Sequence, residues 1–140
     1  MTEYLDNIRD DFKKSFFSES IGLEINDVSE GNVKLVLPYR QSFENMQNTI
    51  HGGIYATILD TTMGLTCRTF DYDAAITIQM SIQFIRAVRE EAIHSTATVI
   101  SRNNKTMLVE GKLYDEQGYL VAHSTGTFKV VKDETTHDAD

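Results

Sequence analysis

Residues 43–68 read FENMQNTIHGGIYATILDTTMGLTCR, and the rest of the chain is arranged around them. A polar segment runs into His51-Gly52-Gly53. The apolar run that follows, Gly52 to Cys67, has helical length and a single charged residue, Asp60. Ile54, Ile58 and Leu65 share one ridge of that helix. Ala56, Asp60 and Gly64 recur every four residues and share another, because positions i and i+4 stack. That second face is small, acidic, small. It suits close approach of another backbone with one acid in the contact, and a buried acid is either paired or used.

Gly52 and Gly53 stand where the helix begins. Glycine admits close approach to the backbone, and the first helical N–H groups have no internal partner. Those amides and the helix dipole favour negative charge, such as a carbonyl oxygen during acyl transfer. His51 and Asp60 are nine residues apart, roughly 13 Å along a helix axis at 1.5 Å per residue. One helix cannot bring both to one reacting carbon. If they serve one site, the acid comes from a second copy of the chain, and a homodimer is expected.

With these residues in place the chain resembles the hotdog-fold acyl-CoA thioesterases of the phenylacetic-acid-degradation (PaaI-like) type. Asn45 six residues before His51, the Gly-Gly pair, and Asp60 nine residues after it follow that family's order. The likeness continues through ITIQMSIQFIRAV and GYLVAHSTGTFKVV, covering residues 20–131. It implies an α+β hotdog fold, in which an antiparallel sheet wraps one long central helix. It also implies hydrolysis of an acyl-CoA to a free acid and coenzyme A, with coenzyme A as part of the substrate and no separate cofactor. Two departures stand out: Asn48 replaces the glycine usual three residues before the His, and Ala87 a common proline.

Composition agrees with a single domain over residues 1–140. Hydrophobic residues make up 41% and charged ones 24%, ordinary for a globular protein. The net charge of −8 speaks against nucleic acid or an anionic membrane as partner. It also means that local Lys and Arg must meet the phosphates of coenzyme A. The one cysteine, Cys67, excludes an internal disulfide and fits a reducing compartment. Tyr4-Leu5-Asp6-Asn7 interrupts any apolar leader, so a cytoplasmic enzyme is expected. The four histidines, His51, His94, His123 and His137, show no metal-ligand spacing, and no metal is expected.

Along the chain, Leu5, Ile8, Phe12 and Phe16 have helical spacing, which predicts one short N-terminal helix over residues 2–17. A hairpin is expected from Ser20 to Leu37, stopped by Pro38. Strands are expected over 76–87, 92–101, 106–115 and 119–131, with Asn at positive φ in the turn 102–105. Gly126 marks a bulge or a close approach, and the acidic tail 132–140 is expected to fray.

The resemblance gives roles to particular residues. Gly52 would donate its backbone N–H to the thioester oxygen, and Asn45 would hold the water or the substrate. Asp60 would act as general base or nucleophile, and Thr77 would position the water. His51 would cap the helix, orient the loop or polarise the carbonyl. Gly53 is expected to contact substrate, as is Gln79, placed beside Thr77 by strand alternation. From their places in the turns, Arg102 and Lys105, or else Arg86 and Arg89, are the candidate cations for the nucleotide phosphates. Two other functions fit the same scaffold: a non-catalytic acyl-CoA sensor, and a dehydratase or hydratase of acyl thioesters.

Overall fold

The computed structural model describes residues 2–132, so the expected tail beyond Lys132 lies outside the described residues. The elements in order are α1 (Thr2–Lys14), α2 (Phe16–Ile21), β1 (Glu24–Ser29), β2 (Asn32–Leu37), a single 3₁₀ turn (Gln41–Phe43), α3 (Gly52–Arg68), β3 (Ala74–Phe84), β4 (Ile93–Arg102), β5 (Thr106–Tyr114) and β6 (Leu120–Val131). The strands form one antiparallel sheet in the order β1-β2-β4-β5-β6-β3. Helix α3 packs on β2 to β6, which is the wrapped-helix arrangement of the hotdog fold.

The core forms between α3 and the concave face of the sheet. Ile58, Leu59, Met63 and Cys67 are fully buried against Val33, Leu35, Val109, Leu113 and Phe128. Truncating one of the large side chains to alanine costs about 2–5 kcal/mol. The helix can sit this close because β5 carries Gly111, where a Cβ would come within 3.0 Å of Leu59 and Met63 side-chain atoms. Thr62 reaches the Ile58 carbonyl at 2.7 Å and Ser95 Oγ at 2.6 Å, so the polar atoms in this core are satisfied.

The N-terminal segment departs from expectation. One helix over 2–17 is in fact two, because Ser15 leaves helical geometry and caps α2, accepting from the Ser18 N–H. Helix α2 then runs on to Gly22, whose φ of +78° closes it, so β1 starts at Glu24 rather than near Ser20. In the β4–β5 turn no Asn has positive φ. Asn103 Oδ1 instead accepts from the Lys105 and Thr106 amides, both at 2.9 Å. Asn48, standing in the family's glycine place, does take positive φ, +61°.

Strand β3 determines where the candidate residues lie. Its pairing with β6 slips between Thr77 and Gln79, leaving Ile78 as an extra residue. Ala75 and Thr77 therefore face α3 before the bulge, and Met80, Ile82 and Phe84 face it afterwards. Gln79 is carried to the opposite face of the sheet. The alternation that placed it beside Thr77 fails at the bulge. On its other side β3 has no strand partner among the described residues, and Ile76 and Ile78 are more than half exposed there.

Candidate active site

His51 ends the loop with extended backbone and caps α3: its Nδ1 accepts the Gly53 N–H at 2.8 Å. The neutral ring therefore carries its proton on Nε2. This occupies Gly53 and leaves Gly52, the first helical residue, as the available donor. Among the described residues the Gly52 N–H has no hydrogen-bond partner. Gly52 opens into a cavity of about 330 Å³ lined by Ile50, Tyr55, Phe84, Ile85, Arg86 and Ala87. The Tyr55 and Phe84 rings lie 6.0 Å apart, and the Tyr55 hydroxyl donates to the Arg86 carbonyl at 2.8 Å. Burial pushes the Tyr55 hydroxyl up to about 12, so it stays a donor at neutral pH.

The loop that delivers His51 is held from several directions. The His51 and Ile50 amides donate to the Phe43 and Val88 carbonyls. Asn45 Oδ1 accepts from the Gln47 and Thr49 amides, and Asn45 Nδ2 donates to Thr49 Oγ1 at 2.9 Å. The Asn45 side chain thus builds the turn, with one Nδ2 hydrogen left uncommitted. Arg89 Nη1 closes the same turn on the Gln47 and Asn48 carbonyls.

Asp60 lies two turns further along α3, half-buried, and Thr77 Oγ1 donates to its Oδ1 at 2.5 Å. The pair opens into a second cavity of about 220 Å³ lined by Thr61, Gly64, Leu65, Arg68, Ala75 and Phe128. The two cavities share no residue. Eight residues separate Gly52 from Asp60, about 12 Å along the axis. Each chain thus carries one unpartnered helix-start N–H and one hydroxyl–carboxylate pair, in different places.

Gln79, Arg102 and Lys105 are in neither cavity. Gln79 donates to Ser81 on the outer face. Arg102 lies 4.2 Å over the Phe70 ring past the C-terminal end of α3, and neither it nor Lys105 lines the Gly52 or the Asp60 cavity. Arg86, which sequence reading ranked beside them, does line the Gly52 cavity, 4.2 Å over the Tyr119 ring. Tyr55 and Phe84 were missed; their signal was a pair of aromatics at the start of the helix and the end of the next strand. Cys67 is fully buried and its thiol is pushed up to about 12 by that burial, so it is not a nucleophile at neutral pH. No group of three or more metal-ligating side chains occurs among the described residues, and no described helix is long and apolar enough to cross a membrane. A further cavity, about 360 Å³, lies between α1, α2 and β1 and holds none of these candidates.

Comparison with known proteins settles the family, since residues 47–122 match the thioesterase superfamily. The chain belongs to the thioesterase superfamily. A solved structure of the conserved protein PA5202 from Pseudomonas aeruginosa is 30% identical, with TM-score 0.78 over 84% of this chain and 94% of that one. The E. coli PaaI protein from the phenylacetic acid degradation operon is 19% identical with TM-score 0.86, over 91% and 93%, a likeness of fold. The medium/long-chain acyl-CoA thioesterase YigI of E. coli K12 is 23% identical over 131 residues, 81% of this chain and 84% of YigI. The superfamily and the hotdog architecture expected from His51, Gly52 and Asp60 both hold.

Proposed function

We propose that this thioesterase hydrolyses acyl-CoA in the cytoplasm as a homodimer or a dimer of dimers, each site completed by two copies. The observation that carries this is the separation within one chain of the free Gly52 N–H and the Asp60–Thr77 pair, each in its own cavity. Pairing two β3 edges would set one copy's Gly52 against the other's Asp60.

In such a site the thioester carbonyl points at the Gly52 N–H. Asp60 of the second copy removes a proton from water as the new C–O bond forms, or attacks the carbon itself. The negative charge that builds on oxygen rests on the helix start, where one preorganised donor is worth about 3–4 kcal/mol of barrier. Collapse of the tetrahedral centre breaks the C–S bond and releases the coenzyme A thiolate, which takes up the proton from Asp60 in the base route. In the nucleophilic route water then hydrolyses the mixed anhydride left on Asp60 to the free acid. Thr77 holds the carboxylate in place. Asn45 holds the loop, and His51 secures the helix start through its Nδ1. Arg86 takes over from Arg102 as the cation for the anionic end of the substrate. The name of the YigI relative supports the substrate class.

The test is free-thiol release from a panel of acyl-CoAs by the purified chain. Steady release supports the proposal. Binding without release would make the chain a sensor, and loss of the acyl double bond or hydroxyl without thiol release would make it a hydratase or dehydratase.

A further inference from the structure

Beside the Asp60 cavity lies another of about 240 Å³, walled by Asp11, Phe12, Ser15, Phe17 and Ser18 of the N-terminal segment. Its floor is Thr61, Leu65 and Arg68 of α3, three residues that also line the Asp60 cavity. The two spaces therefore adjoin along one strip of α3. From Asp60 to Arg68 the strip runs eight residues, about 12 Å. A substrate held at Asp60 has two arms leaving the reacting carbon, the acyl tail and the coenzyme. The charges of this path decide which arm follows it. Its only cation, Arg68, is bound to Asp11 at 2.7 Å, and Asp60 adds a further negative charge. Nothing there invites phosphates. Phe12 and Leu65 offer apolar surface, and Phe17 is 59% exposed with no apolar cover of its own.

We propose that helices α1 and α2 form the far wall of an acyl groove, in which a straight aliphatic chain runs from Asp60 over Leu65 to Phe12 and Phe17. This rests on the thioesterase reading and adds to it the substrate class and the residues that select it. A short acyl group, or an aryl ring close to the carbonyl, fills only the first cavity. A medium-length chain reaches the second. The Arg68–Asp11 pair, joining α3 to α1, fixes the wall over the groove.

The experiment measures thiol release from acetyl-, hexanoyl- and decanoyl-CoA by the wild-type chain and by Phe17→Ala and Leu65→Ala. Each methylene entering the groove is expected to raise wild-type kcat/KM about fourfold. Phe17→Ala is expected to cut the decanoyl-to-acetyl ratio of kcat/KM about fivefold, mainly through KM. Phe17 is exposed, so its variant should fold even if Leu65→Ala does not, and circular dichroism checks both. A ratio unchanged in a folded Phe17→Ala, while the wild type still releases thiol, overturns the groove alone. No thiol release from any of the three substrates by the wild type overturns the groove together with the activity it rests on.

Discussion

Thr77 Oγ1 and Asp60 Oδ1 are 2.5 Å apart, a hydroxyl from the first half of β3 meeting the one carboxylate of α3. The contact fixes the orientation of the acid, because the hydroxyl donates to one of its two oxygens. Asp60→Asn keeps the shape and removes the base, so kcat is expected to fall at least a hundredfold with a modest change in KM. Thr77→Ala loses one hydrogen bond to a charged group, about 1.5–3 kcal/mol or some 10- to 150-fold in rate. Thr77→Ser should recover most of it. Wild-type kcat in Asp60→Asn would remove this carboxylate from the chemistry.

Gly52 permits an unusually direct test of a backbone donor. It is the first helical residue, where proline is well tolerated, and His51 before it has φ −62° and ψ 138°, the extended geometry a following proline requires. Gly52→Pro therefore deletes the N–H while leaving α3 intact. A Cβ there comes 3.2 Å from the exposed Phe84 ring, so Gly52→Ala is the control for bulk alone. The proline variant is expected to lose about 10²–10³ in kcat beyond the alanine variant. If each site uses Gly52 of one copy and Asp60 of the other, subunits of Gly52→Pro and Asp60→Asn complement. A mixed dimer has one intact site, so random mixing should restore about a quarter of wild-type activity. No recovery after verified subunit exchange would place both residues in one chain's own site.

Much of this was legible in the sequence because periodicity reports burial. The apolar spacing after His51 located α3 almost to the residue, and the turn residues set strands β4 to β6 within two positions. Local devices were harder to see. Ser15 is an ordinary cap residue inside a pattern that reads as one continuous helix, and only its extended backbone separates α1 from α2. The extra residue at Ile78 leaves no mark in an alternating strand, yet it decides that Thr77 meets Asp60 while Gln79 does not. Arg102 looked available for phosphate because Phe70, which it covers, is more than thirty positions away in the chain and comes near only through folding.

The free edge of β3 carries the expected contact between copies. An unpaired strand with exposed Ile76 and Ile78 is an invitation to edge pairing, and natural edges are blunted with lysine when pairing is unwanted. Ile78→Lys should shift the protein toward monomer in sedimentation, with thiol release falling in step. Ser81→Lys, on the outer face, serves as a charge control and should shift assembly less. A monomeric wild type with full activity would end the shared-site reading.

The outer face of the sheet supplies a pH dependence. His123 Nε2 lies 2.8 Å from Glu110 Oε2, and this hydrogen bond, helped by Lys112, holds the Glu110 carboxyl below its ordinary value of 4.5. The unfolded chain, lacking the contact, binds a proton there more readily than the folded one, so stability rises with pH in that range. The contribution is fully present above about pH 4.5 and is lost as pH falls through the depressed folded value. Urea midpoints taken from about pH 6 down to about pH 3 should drop less steeply for Glu110→Gln than for the wild type, since the variant has no proton to gain at this position. Because both side chains are about one-third exposed, added salt should weaken the difference without abolishing it. Identical acid limbs for the two proteins would show that the pair contributes nothing to the fold's resistance to acid.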